Sequence, residues 1–487
     1  MSSPAGRAPV FSRAAAGGPS ASFERARAVE RAPAVRRAAV TAVVATVAVA
    51  LVAFSIPFRL RPARAASQVA PPRRVTHTPA GAISLNPTLG GDGRALAFES
   101  SADLAGTGSG AGFRLLTADA LAPASFSELA FGRAPAPAVS QDGSVVVFAG
   151  REDPLGENRD GDSEIFIHEG GRLRQLTRTT PDDPARRAEQ GCFRPSVSDD
   201  GRLVAFACDR DLAGRNADLN SEIFLLDTRA QTLLQITSTE GGPGARDAKV
   251  SGDGSRVACV RERLTAEGVV ADVLVYAVAG GATFEAATGV RELSLTYGRA
   301  LSDDGLRLVY SARGATNATQ VFMLDGRNGY AARQLTRLGS RQADVPLHPT
   351  ISGDGSRVAF ATRRNVAGGN PDASVELYLH DLPTDTTTRL TDAPAAATAE
   401  VVSSLDDRGA LVAFSFPRAL TEPGAPAQTA DDPEIYLADA PARPGFAGGL
   451  QIFNAAAPDK PPAAGALAPG SLAVVKGENL ALAAAQA

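Results

Sequence analysis

Chemically versatile side chains are scarce in this chain. Its 487 residues include no tryptophan, three cysteines and four histidines. The histidines (His77, His168, His348 and His380) lie far apart, and no His-centred catalytic cluster is legible. No G-x-S-x-G turn follows a candidate strand, and no stretch is long enough for the α/β domain that such a nucleophile elbow needs. The glycine-rich Gly106–Gly112 lacks a following helix and a P-loop lysine, which makes it a flexible loop rather than a phosphate cradle. Neither sign of charge is in excess. With 49 basic and 53 acidic residues the net charge is −4, which offers nothing to nucleic acid or another polyanion.

What the chain does have is a repeat. Pro195–Cys208, PSVSDDGRLVAFAC, reads as two strands joined by a tight turn at Gly201. Asp199 and Asp200 are expected to fold back on backbone N–H groups and hold that turn. Leu203–Cys208 is apolar at both side-chain parities and is expected to be buried on both faces. The pattern recurs around Gly93, Gly143, Gly201, Gly254, Gly305, Gly355 and Gly409, at intervals of 50 to 58 residues. A period of this size signals a solenoid, a propeller or an array.

After each hairpin comes a polar loop and a third strand, as in EIFIHE (Glu164–Glu169), EIFLLD (Glu222–Asp227) and ELYLHD (Glu376–Asp381). A fourth strand often ends in Leu-Thr, as in Arg174–Arg178 and Arg333–Arg337. Four antiparallel strands per unit make the blade of a β-propeller, and seven units make a seven-bladed ring. The seventh unit stops after its third strand at Asp439, and RRVTHT (Arg73–Thr78) matches the missing fourth. The N-terminal strand is therefore expected to seal the ring and remove an exposed sheet edge.

The unit P-x-[VI]-S-x-D-G-x-x-[VL]-A-F, followed by a D/N-rich loop and a [DE]-I-F-x-x-D strand, resembles the WD-like propeller repeats of TolB-type proteins. The resemblance spans nearly all of Arg73–Asp439 and implies an all-β propeller of an extracytoplasmic, protein-binding kind. A role in the Tol system is not implied, because no α/β domain is recognisable before the propeller. Leu450–Leu480 looks like the opening strands of an Ig-like C-terminal module of bacterial secreted proteins, at Asn454-Ala455-Ala456, Ala468–Ser471 and Gly477–Leu480. A Pro/Ala-rich disordered tail is the alternative.

The organisation expected is a disordered segment (1–37), a hydrophobic helix (38–58), a linker (59–72), the propeller (73–440), and a linker with the partial module or tail (441–487). Ala38–Phe58 is uncharged for 21 residues and follows Arg36-Arg37. It reads as either a signal peptide cleaved after Ala63-Arg64-Ala65 or an N-terminal anchor. Both place the propeller outside the cytoplasm, periplasmic or secreted, and touching the membrane only through that segment.

Site candidates are few. If Ser198 faces Arg202, Cys192 faces Cys208 within disulfide range, while Cys259 is a buried spacer. Asn158, Asp160 and Asp162 place oxygens at alternate positions, which suits Ca²⁺, but without the EF-hand order Asx turns explain them equally. No other cofactor is indicated. Long polar loops leave on one face, and Arg159, Arg194, Arg215, Asp218, His348, Arg364 and Asp372 on them are candidate partner contacts. Arg194 and His348 are expected near the axis. Arg202, Arg256 and Arg357 sit beside the turn glycines on the other face. A monomeric, noncatalytic scaffold for a protein or envelope component is the first reading. A hydrolase or lyase using acids on the long-loop face is the second.

Overall fold

The computed structural model describes residues 70–339, 345–394, 400–421 and 431–443, together with the backbone of Gln451–Asn454 and Ala473–Lys476. The hydrophobic run 38–58 lies outside the described residues. Among the described residues no helix is long and apolar enough to cross a membrane.

The repeated hairpin is organised by its Ser-x-Asp-Gly turn. In the third copy Ser198 Oγ donates to Asp200 Oδ1 (2.7 Å) and accepts from Leu203 N (2.9 Å), while Arg202 N donates to Asp200 Oδ1 (3.0 Å). Ser251 with Asp253, Ser302 with Asp304 and Ser352 with Asp354 repeat the arrangement. All seven turn glycines hold φ between 61° and 75°, a region that glycine enters without steric cost. Gly201 has a second reason: a Cβ there would stand 2.5 Å from Val145 Cγ2 of the preceding unit. Asp199 does not help to hold this turn, contrary to expectation. Its carboxylate faces the molecular axis.

The units are the seven blades of a propeller. Their second strands are Ala95–Ser100, Val145–Gly150, Leu203–Cys208, Arg256–Thr265, Arg307–Arg313, Arg357–Thr362 and Leu411–Pro417. Six blades are four-stranded antiparallel sheets, and in blade five the innermost strand is reduced to the pairs Leu301↔Leu308 and Ser294↔Ser311. Blade four differs too, since Arg256–Thr265 and Gly268–Ala277 form a continuous ten-residue hairpin where the others have a loop.

Burial on both faces follows from stacking. Leu203–Cys208 is buried at every position after the first, and Ala205 and Ile223 of blade three pack with Val257 and Cys259 of blade four. Within blades, second-strand aromatics stack on third-strand aromatics, as Phe206 on Phe224 (5.9 Å) and Phe360 on Tyr378 (5.9 Å). Such pairs add about 0.5–1.5 kcal/mol each beyond area burial. Cys259 takes the Phe206 position in blade four, and burial pushes its thiol up to about 12.

The chain ends close the ring. Arg73 pairs with Leu437 and Arg74 with Tyr436. Beside them Glu434, fully buried, binds Arg74 (2.7 Å), Arg418 (3.0 Å) and Thr78 N (2.9 Å). Cys192 lies opposite Cys208 with Cα atoms 4.1 Å apart, joined as a disulfide. The ladder is interrupted between Phe193 and Ser196, where Arg194 takes φ 49°, and it resumes in time for the cysteines to meet. In the C-terminal segment, Gln451–Asn454 pairs antiparallel with Ala473–Lys476. The rest of the Ig-like resemblance falls outside the described residues.

Candidate functional site

The seven tight turns meet around the axis. Asp92 N donates to Gln141 O, Gln141 N to Asp199 O, Asp199 N to Gly252 O and Asp253 N to Asp303 O. The circuit closes through Asp303 N to Gly353 O, Asp354 N to Asp407 O and Asp407 N to Gly91 O. The residue two positions before each turn glycine therefore lines the axis. In chain order these are Gly91, Gln141, Asp199, Gly252, Asp303, Gly353 and Asp407. Glycine flanks the acids because there is no room for more: a Cβ on Gly353 would come within 2.5 Å of Asp407 Oδ1.

The three acids, from blades three, five and seven, converge so that one oxygen from each lies within 4.8 Å of the others. Arg299 sits among them. Its Nη1 bonds Asp303 Oδ1 (2.8 Å) and Asp407 Oδ1, and its Nη2 is 3.8 Å from Asp199 Oδ1. Gln141 Nε2 adds a bond to Asp407 Oδ2 (3.2 Å). The trio has the oxygens that a cation site requires, but the guanidinium already fills that role.

Behind this knot lies a well of about 60 Å³, lined by Pro195, Val197, Lys249, Tyr297, Leu301 and Ser404 among others. Lys249 Nζ donates to Tyr297 O (3.0 Å). At the opposite mouth a chain of contacts circles the axis. Arg194 pairs with Asp247 and lies 4.9 Å over the Tyr297 ring; Tyr297 meets His348 (5.7 Å); and His348 Nε2 meets Glu400. Arg194, Asp247 and His348 all have positive φ, as do Asn86 and Ala136 at the equivalent positions of blades one and two. In blades one, three and four this position interrupts the first-strand ladder as a bulge.

Burial governs the electrostatics. Desolvation pushes the Asp303 carboxyl up to about 7, against the pull of Arg299 and with the push of Asp199 and Asp407. Asp199 is raised by the same cause. Lys249 is brought down to about 8 by desolvation, partly offset by Asp247. Arg299 is disfavoured by burial, but the three carboxylates more than compensate and raise it.

The residues singled out from sequence divide into two groups. Arg194 and His348 come together at the axial mouth through Tyr297. Arg159, Arg215, Asp218 and Asp372 are exposed on separate loops of blades two, three and six, where Asp218 accepts from Gly241 N (2.7 Å). Arg364 is half-buried and lines, with Glu292, Asn317, Leu347 and His348, a cavity of about 420 Å³ between blades five and six. Asn158 and Asp162 are buried and Asp160 half-buried, in a loop closed by Asn158 N on Asp153 Oδ1 (2.8 Å).

Arg256 and Arg357 are not free surface residues of the tight-turn face. Arg256 Nη1 donates to Asp304 O (2.8 Å), and Arg357 Nη1 donates to Gly409 O (2.7 Å) while its Nε holds Asp381 (3.0 Å). Both latch one blade to the next, and only Arg202 of the three is a half-exposed surface pair, with Asp227 (2.5 Å). The sequence reading missed Asp199, Asp303, Asp407, Arg299, Lys249 and Tyr297 as a group. The available signal was Arg299, which replaces the proline found at that position in Pro137, Pro195 and Pro349.

No family model and no curated protein matches the sequence. Solved structures do match in fold. The oligogalacturonate lyase of Vibrio parahaemolyticus is 14% identical, with 76% of this chain and 93% of that chain covered and a TM-score of 0.50. The β-propeller domain of the Trilobed protease from Pyrococcus furiosus is 13% identical, with 75% and 96% covered and a TM-score of 0.49. TolB from Acinetobacter baumannii is 14% identical, with 71% and 77% covered and a TM-score of 0.38. The likeness to the lyase shows the β-propeller fold alone, and the neighbours include both enzymes and TolB proteins.

Proposed function

We propose that the protein is an exported, noncatalytic scaffold that binds a protein or cell-envelope component through its long-loop face. One observation carries this reading. The place where ionisable groups gather is a well of about 60 Å³ with its acids paired to Arg299. Ligand pockets usually enclose about 300–1,000 Å³. The well has room for water and not for an organic substrate. By contrast, the cavity lined by Glu292, Asn317, His348 and Arg364 measures about 420 Å³ and opens among the long loops. The mouth residues Arg194, Tyr297 and His348 lie beside it and supply a cation, an aromatic face and an imidazole.

Export is supported by the uncharged run Ala38–Phe58 and by the Cys192–Cys208 disulfide, which an oxidising compartment would maintain. The protein acts as a monomer, with membrane contact confined to the N-terminal segment. The second reading, a hydrolase or lyase, has one observation in its favour: an Asp303 carboxyl at about 7 is poised for proton transfer. Its acids converge at the tight-turn end, not on the long-loop face.

Capture from an envelope extract by the immobilised full chain separates the two. Asp303→Asn and Lys249→Met should leave capture unchanged. Loss of capture in these two variants, with their folds intact, would move the site into the axial well and favour the enzyme.

A further inference from the structure

Every blade buries a polar residue two positions before the third-strand residue that packs on the second strand, and most give it a charge partner. In blade seven Glu434 has Arg74 and Arg418. In blade six Arg389 lies 3.9 Å from Glu376. In blade four Asp272 has Arg261 (2.7 Å) and Arg263 (2.6 Å). Blade one exchanges the signs, with Arg114 against Glu128 (3.3 Å), and blade five has the neutral Gln320. Blades two and three place Glu164 and Glu222 there, buried, with only threonines and backbone around their carboxylates.

The fourth strand explains the difference. Its residue opposite the third-strand aromatic is Arg389 in blade six and Arg74 in blade seven, but Gln175 in blade two and Gln235 in blade three. In blades two and three, oxygens are left without donors. Asn158 Oδ1, Asp162 Oδ1 and Gln175 Oε1 in blade two are buried and unpartnered, as are Asn216 Oδ1, Asn220 Oδ1 and Gln235 Oε1 in blade three. A buried acceptor without a donor costs about 1–3 kcal/mol.

The amide orientations are chemically fixed. Asn158 Nδ2 donates to Asp162 O (3.1 Å) and Gln175 Nε2 to Thr177 O (2.9 Å), so flipping either would set oxygen against oxygen. In blade two the loop meets the segment after the fourth strand through Thr179, whose Oγ1 donates to Asp162 Oδ2 (2.6 Å); in the sister blades Gln235 Nε2 reaches Arg215 O (3.4 Å), next to Asn216, and Arg389 Nη1 reaches Gly369 O, next to Asn370. In blade six, Asn370 Oδ1 is satisfied by Ser374 Oγ (3.1 Å). The guanidinium of Arg178 pairs with the exposed Glu157 of the blade-two loop, and Arg187, also exposed, lies over Gly161.

We propose that blade two binds a hard divalent cation, Ca²⁺, through Asn158 Oδ1, Asp162 Oδ1 and Gln175 Oε1, in the role that Arg389 and Arg74 play in blades six and seven. Three oxygen donors including a carboxylate suit Ca²⁺, with water and backbone oxygens filling the remaining positions. Asp160, at the rim of the loop, acts electrostatically on both Asp162 and Glu164 and adds negative charge. Blade three has Asn220 in place of Asp162 and offers no carboxylate among its three oxygens.

The test uses the full chain stripped with EDTA and titrated with CaCl₂, with MgCl₂ and NaCl as controls, read by calorimetry and by melting temperature. One Ca²⁺ per chain and a rise in melting temperature are expected. Asp162→Asn should weaken binding at least tenfold, and Asn220→Ala should leave it unchanged. Gln175→Arg supplies the sister blades' cation, so it should abolish the Ca²⁺ response and melt above the stripped wild type. No Ca²⁺-dependent shift in the wild type, or a shift that survives in both Asp162→Asn and Gln175→Arg, would overturn the assignment.

Discussion

Arg299 of blade five hydrogen-bonds Asp407 of blade seven, 108 residues further along the chain, and so ties two non-adjacent blades across the axis. The same guanidinium holds Asp303 at 2.8 Å. Removing it leaves three crowded carboxylates without their cation, and breaking a buried pair from one side costs about 3–5 kcal/mol. Arg299→Met is therefore expected to lower stability by about 3 kcal/mol in urea unfolding. Adding Asp303→Asn and Asp407→Asn should recover most of that loss.

The axial groups also set a pH dependence. Asp303 titrates at about 7 in the folded protein against 3.8 for a free aspartate. Between these values the folded state keeps a proton that the unfolded state has lost, so the Asp303 contribution to stability falls as pH rises from about 4 to 7 and is level above. Lys249, brought down to about 8 from 10.5, has the opposite slope: its contribution rises between those values. Melting curves of Asp303→Asn should be flatter than wild type below pH 7, and those of Lys249→Met flatter above pH 8. Parallel curves throughout would mean that neither group is desolvated as described.

The repeat was legible because each copy carries its own turn chemistry. Ser198, Asp200 and Gly201 fulfil roles that depend only on neighbours in sequence. Asp199, Asp303 and Asp407 have roles that depend on ring closure, which brings alternate blades to a common axis. Their turn position gave a sufficient local explanation that turned out to be incomplete. The contrast of Gln175 and Gln235 with Arg389 and Arg74 is likewise invisible until the blades are aligned through their strand pairing. The tight-turn arginines misled for the same reason. Arg357 lies next to a turn in sequence but reaches into the following blade, at Gly409.

Closure by the chain ends makes Glu434 a sensitive position. Glu434→Ala strands Arg74 and Arg418 in a buried site and frees the N-terminal strand. A loss of about 3–5 kcal/mol is expected, together with faster amide exchange across Pro433–Asp439 and residues 73–78. Unchanged exchange there would contradict sealing by this strand.

The disulfide spans a sequence separation of 16, for which chain-entropy arguments give about 3 kcal/mol. Reduction under native conditions should lower stability by roughly that amount, and Cys192→Ala with Cys208→Ala should do the same. Cys259→Ala should leave the response to reductant unchanged, because that thiol is buried and unbonded.

The scaffold reading is tested most directly by reversing charge on one face at a time in the full chain and measuring capture of the envelope component. Arg159→Glu and Arg215→Glu alter exposed loops of the long-loop face; Arg94→Glu and Arg229→Glu alter exposed pairs on the tight-turn face, with Asp119 and Asp200. The account predicts at least tenfold weaker capture from the first pair and wild-type capture from the second, at equal melting temperature. Equal losses from both faces, or loss from the tight-turn face alone, would contradict it.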